Sequence, residues 1–222
     1  MRSQPPVWLD HALSRPRLAP YIEAAGGDAA GAWKLYCWNI QVSAAFYGPL
    51  HCLEVSLRNS LNDRLKEAYG RTDWWTTAPL SPNGNLKVAQ ARENAQRNIG
   101  RGRPLVPDDV VAELTFGFWV GLLSRHHDRN FWVPTLHRSF PHFRGRRNAL
   151  HHDFFSMLLF RNRVMHYEPI HHRDLDMDHR TLYRLLEYIG PEFAAEARRM
   201  DRVPSILQNR LHACSGDRTP SF

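Results

Sequence analysis

Arg161, Asn162, Arg163 and His166 stand close together in the stretch RNRVMHYEPI, directly after the apolar run FFSMLLF. These side chains suit chemistry at a phosphodiester. Arginine grips phosphate oxygens in a two-pronged fashion, an amide orients its neighbours, and an imidazole ordinarily titrates near neutrality and so can take or give a proton. RNA carries its own nucleophile, the 2′-OH beside the scissile phosphate. Cleavage needs a base for that hydroxyl, an acid for the departing 5′-oxygen and cations around the crowded phosphate, roles that His and Arg can fill without a metal. One His per chain falls short of two proton-transfer groups, and a second copy in a symmetric dimer would complete the set.

Spacing alone leaves two readings open. On a helix, Arg161 and His166 are separated by roughly 500° of rotation and about 7.5 Å of rise, whereas Asn162 and His166, four apart, stack one turn above the other. Such a set can form a site. It can equally be the solvated end of a helix, with Arg161 and Arg163 in water and His166 near the last carbonyls.

The elements that must position these residues read as helices. The chain has 222 residues, 43% of them hydrophobic and 23% charged, which suits one large domain with a real core. Runs with strand-like alternation are scarce, so the expected class is all-α. A helix is expected over 28–47, punctuated by Gly48-Pro49, and another over 50–70 with a leucine stripe and a stop at Gly70. A turn-rich loop over 71–85 should lead into a polar basic helix over 86–104. Pro107, Asp108 and Asp109 suit the start of a long helix over 106–127, in which Gly117 and Gly121 would admit a close neighbour. An irregular aromatic-basic linker over 130–148 precedes the motif helix at 149–167, which Pro169 ends. A last helix over 178–199 should break at Gly190-Pro191.

The formal net charge is +7 and the pI about 9.7, a balance that favours an anionic partner, RNA foremost. Candidate RNA contacts are Lys87, Arg92, Arg97, Arg101 and Arg103, then Arg144, Arg146 and Arg147. Trp74, Trp75, Phe131, Trp132 and Phe143 are candidates for stacking on bases. Glu54, Arg58 and Asn59 repeat the Arg-Asn theme. They read either as a surface ion pair between Glu54 and Arg58 or as support for the site, with Glu54 orienting Arg161.

Cys37, Cys52 and Cys214 form no CxxC pair and are odd in number, which fits a reducing cytoplasm. The His pairs at 126–127, 151–152 and 171–172 lack metal-ligand spacing, so no metal or other cofactor is expected. The opening residues lack a signal-peptide core, and the longest near-apolar run, 114–123, is half a membrane span, so no membrane partner is expected.

The flanks of the motif carry a resemblance. VPDDVVAELTFGFWVGLLSR, the pattern FW.P.LHRSFPH and RNRVMHYEPI resemble the Abi-like (abortive infection) family of the HEPN superfamily, over roughly residues 33–190. The most telling spots are ELTFGFW at 113–119 and RNRVMH with its following EPI. The resemblance implies a HEPN-like all-α bundle that forms a homodimer and cuts RNA without metal, in phage defence or as a toxin held off by an RNA or protein antitoxin. It implies catalytic roles for Arg161, Asn162 and His166 and a supporting one for Glu168. Tyr167 stands where the family pattern leads one to expect His, and its hydroxyl could still bind phosphate. The implied organisation is an N-terminal extension at 1–27, the helical domain at 28–200 with a basic insertion at about 71–105, and a partly disordered tail at 201–222. The alternative function is a non-catalytic RNA-binding protein of the same shape.

Overall fold

The structure, a computed structural model, describes residues 7–99, 102–216, 220 and 221. Among these residues all regular elements are helical and no strand forms, so the all-α expectation holds. The α-helices are α1 (Val7–Leu13), α2 (Arg15–Ala24), α3 (Ala29–Tyr69), α4 (Pro82–Ile99), α5 (Pro107–Glu113), α6 (Phe116–Leu122), α7 (Arg147–Met165), α8 (Leu175–Ile189), α9 (Pro191–Arg199), α10 (Val203–Gln208) and α11 (Arg210–Ser215). No described helix is long and apolar enough to cross a membrane.

The expected break at Gly48-Pro49 does not occur. Helix α3 runs for 41 residues with Pro49 inside it. An interior proline costs about 3 kcal/mol, because it removes a helix hydrogen bond and crowds the preceding turn. The buried line through Trp38, Val42 and Phe46 continues in phase through Leu50, Leu53 and Leu57. Each such side chain contributes roughly 1.5–3 kcal/mol when fully buried, which outweighs one proline. Asp28 starts the helix by accepting the Ala30 and Gly31 amides at 3.2 and 2.9 Å. Gly70, at φ 63°, stops it as the sequence predicts.

The described residues fall into two compact units. One comprises those of 1–50, 160–180 and 197–222, the other those of 51–159 and 181–196. In the first unit, the described parts of the segments read as an extension and a tail contribute buried side chains. Leu9, Leu18, Tyr21, Val203 and Ala213 are buried. The Trp38 indole donates to the Ile206 carbonyl at 3.3 Å, the Arg210 guanidinium lies 4.7 Å from the Trp38 ring centre, and Lys34 Nζ donates to Ser215 O at 2.8 Å. Arg173 forks onto Asp178 at 2.7 and 2.8 Å and lies over Phe160, which meets Phe46 edge to face.

This unit also holds a pH-sensitive core position. The Nε2 of His171 is buried without a partner in contact with the Tyr21 ring. Burial first, then the nearby charges of His172 and Arg210, pull its pKa down to about 4 from the usual 6.5. Between those values the unfolded chain binds a proton that the folded one refuses, so stability falls as pH drops through that window. His127 and His151 are shifted the same way by burial. His171→Phe should therefore remove part of the loss in urea midpoint between pH 7 and pH 5. An unchanged pH slope would contradict this account.

In the second unit, α4 begins at Pro82, earlier than expected, because Ser81 Oγ caps it by accepting the Gly84 amide at 3.1 Å. Trp74 is fully buried, its indole donating to Asn62 Oδ1 at 2.9 Å, and packs against Phe118 and Trp119. The single helix expected over 106–127 is two. Leu114 is extended, with ψ 122°, and Thr115 caps α6 through its hydroxyl to the Phe118 amide. The Leu114 carbonyl released by the break accepts the Trp119 indole at 3.3 Å. Of the two glycines expected to admit a neighbour, Gly117 does so: a Cβ there would touch Leu158 of α7 at 3.6 Å, while one at Gly121 would meet open space. The break between α8 and α9 at Gly190 is the one the sequence predicts.

Candidate functional site

Arg161, Asn162 and His166 all lie in the first unit, at the C-terminal end of α7. The His166 amide donates to the Asn162 carbonyl at 2.9 Å, which fixes the one-turn stacking that the spacing predicts. Arg161 and Asn162 are half-buried, and His166 is exposed.

The helix then ends in a Schellman turn. The Tyr167 amide donates to Val164 O at 3.2 Å and the Glu168 amide to Arg163 O at 2.8 Å, with Tyr167 in the left-handed region at φ 59°. Glycine is the residue that normally takes this place. A tyrosine there costs on the order of 1 kcal/mol or more. Arg17 of α2 clamps the turn by donating to the Tyr167 carbonyl at 2.6 Å. Arg163 pairs with Glu168 at 3.5 Å, and Pro169 follows. Glu168 and Arg163 therefore close the turn itself.

Next to the motif in sequence, Val164, Met165 and Tyr167 line a cavity of about 690 Å³ together with Arg17 and residues of α3, among them Tyr36, Asn39 and Tyr47. Asn39 is 4% exposed, and its Oδ1 accepts both the Ile170 amide, at 2.8 Å, and the His171 amide, at 3.1 Å. It ties the chain that follows the motif to α3. Sequence reasoning missed Arg17, Tyr36, Asn39 and Tyr47. A signal was present: besides its buried stripe, α3 carries Trp33, Tyr36, Ile40, Ala44 and Tyr47 at helical spacing on another face.

Glu54, Arg58 and Asn59 lie on the part of α3 that belongs to the second unit. There Arg58 Nε donates to its neighbour Asn59 Oδ1 at 3.2 Å. What the structure gathers within one unit is Arg161, Asn162, His166, Tyr167 and Glu168.

The basic residues separate into two groups. Arg103 forks onto Asp109 at 2.7 and 2.6 Å and holds that carboxyl down at about 2. Arg147 pairs with Asp128 at 2.8 Å and donates to the Leu123 carbonyl at 2.7 Å. Both are engaged in ion pairs within the protein, Arg103 at a half-exposed position and Arg147 at a largely covered one. Arg144 bonds the Pro141 carbonyl at 2.7 Å and remains exposed, as does Arg146. On α4, Arg92 and Arg97 are exposed and Lys87 is half-buried, while Ala91 and Ala95 turn inward. Arg101 lies outside the described residues. Among the aromatic candidates, Trp74 and Phe131 are fully buried and so closed to bases, while Trp75, Trp132 and Phe143 are half-buried.

Compared with family models, curated proteins and solved structures, the chain matches none.

Proposed function

We propose that the protein is a metal-independent endoribonuclease of the HEPN type, acting in phage defence or as a toxin. The observation that carries this reading is the end of α7, where Arg161 and Asn162 stand in the last helical turn and an exposed His166 directly follows it, all within one unit. In the proposed reaction Arg161 holds the phosphate and offsets the charge that builds on it, and Asn162 orients the site. His166 takes the 2′-OH proton or supplies one to the 5′-oxygen, and the oxygen–phosphorus bond to that leaving group breaks as the 2′-oxygen bonds to phosphorus. The products are a 2′,3′-cyclic phosphate and a 5′-OH.

Two proton transfers call for two histidines, and a homodimer would bring the second. In support of a homodimer, helix α7 shows water two large apolar side chains, Phe155 at 45% exposure and Leu159 at 49%. Both lie on the part of α7 that belongs to the second unit, one turn apart on one face of the helix. A symmetric contact along that stripe would bury them. Phe155→Glu is expected to lower the molecular mass measured by light scattering from that of a dimer to that of a monomer. A wild type that is already monomeric would remove the two-copy site.

The deciding experiment is RNA cleavage by the purified protein in EDTA, with analysis of the product ends. Cyclic phosphate ends support the reading. Intact RNA with salt-sensitive binding supports the other one, a non-catalytic RNA-binding protein, which the net charge of +7 and the exposed Arg92 and Arg97 would serve equally well. An RNA or protein antitoxin is the partner that a toxin role would require.

A further inference from the structure

The cavity of about 690 Å³ beside the motif has no part in the proton transfers and phosphate contacts just described. Its volume suits a ligand of nucleotide size. Its lining combines aromatic rings (Tyr36, Tyr47, Tyr167), the small Ala44, one guanidinium (Arg17) and one buried amide (Asn39). Rings and small side chains accept a flat apolar face, and a guanidinium favours an anion. The two backbone amides held by Asn39 Oδ1 fix that side chain, leaving its Nδ2 as the donor it can offer.

Tyr167 points to what fills the space. It occupies a left-handed position where glycine would be less strained, and it is 77% exposed, so its ring buries little. That small burial gives the fold little in return for the strain. Strain kept at such a place is a mark of use.

We infer that the cavity takes one unpaired base of the RNA strand, stacked on Tyr167, with Asn39 donating to a base acceptor and Arg17 facing the adjoining phosphate. This assignment rests on the RNA reading above. His166 is not part of the lining, but Met165 and Tyr167 on either side of it are, which would put the bound base on a nucleotide near the phosphate on which His166 acts. The cavity, rather than the motif, then sets which base neighbours the cut.

The test compares two hexamers with 2′-fluoro sugars, which lack the nucleophile: one of uridine and one abasic throughout, at a single salt concentration. Wild type should bind the uridine hexamer about tenfold more tightly, the range of one base–aromatic stack. Tyr167→Gly should lose that preference while melting no lower than wild type. Ala44→Phe, at an exposed position in the lining, should lose it by intruding on the face where the base would stack. His166→Ala should keep it. Equal binding of both hexamers by wild type, or a preference retained in either cavity variant, overturns the base pocket and leaves the RNA reading standing. A lower melting temperature for Tyr167→Gly sinks the strain argument and the pocket with it. Binding of neither hexamer by wild type overturns both the pocket and the RNA reading.

Discussion

His166→Ala is expected to lower the RNA-cleavage rate by roughly 10²–10⁴-fold, the usual contribution of one positioned proton-transfer group. Folding and RNA affinity should stay close to wild type, because His166 is exposed at the end of α7. Exposed substitutions of this kind usually change stability by less than about 0.5 kcal/mol. Arg161→Ala should have a loss of about 10²–10³-fold, since a preorganised donor to the reacting phosphate acts most strongly when charge builds there. Arg161→Lys should recover only part of it: lysine restores the charge but not the planar fork. Single-turnover cleavage, with binding measured on a 2′-fluoro RNA, separates these effects. Wild-type rates in His166→Ala would sink the assigned role. Equal loss of binding and cleavage would turn the site into a binding surface and favour the non-catalytic reading.

The sequence revealed best what depends on local pattern. The leucine line of α3, the stop at Gly70, the acidic start of α5 and the break at Gly190 are short-range signals, and each holds in the structure. The sequence misled where a local rule met a long-range one. Pro49 should break a helix, but the buried face on either side of it keeps the same phase. Leu114 fits a helical line, yet Thr115 offers a better start to α6 and Trp119 bonds the carbonyl that the break releases. The ion pairs of Arg103 with Asp109 and of Arg147 with Asp128 were not legible either, because composition does not show which charges meet. The motif was visible as spacing. The cavity beside it was not, because Arg17, Asn39 and Tyr167 are far apart in the chain and meet only when α2, α3 and the end of α7 pack.

Asn39 is the residue on which that packing most depends, and Asn39→Ala should be among the most destabilising single changes in the first unit. Its Oδ1 accepts two buried backbone amides, those of Ile170 and His171, which directly follow the turn that ends α7. Alanine leaves both donors without a partner. Each buried unsatisfied group costs about 1–3 kcal/mol, so the loss should be on the order of 2–6 kcal/mol. In a protein of this size 1 kcal/mol corresponds to roughly 2–4 °C in melting temperature, so the shift should be easily measured. Asn39→Asp separates the hydrogen bonds from the side-chain volume. It keeps an acceptor for both amides but buries a carboxylate, a lesser fault because the two N–H donors favour the charge. The expected order of urea midpoints is therefore wild type, Asn39→Asp, Asn39→Ala. A loss below about 1 kcal/mol for Asn39→Ala would mean that the Ile170 and His171 amides find other acceptors. The Schellman turn would then be held by Arg17 and its own backbone bonds, and the cavity could keep its shape without Asn39.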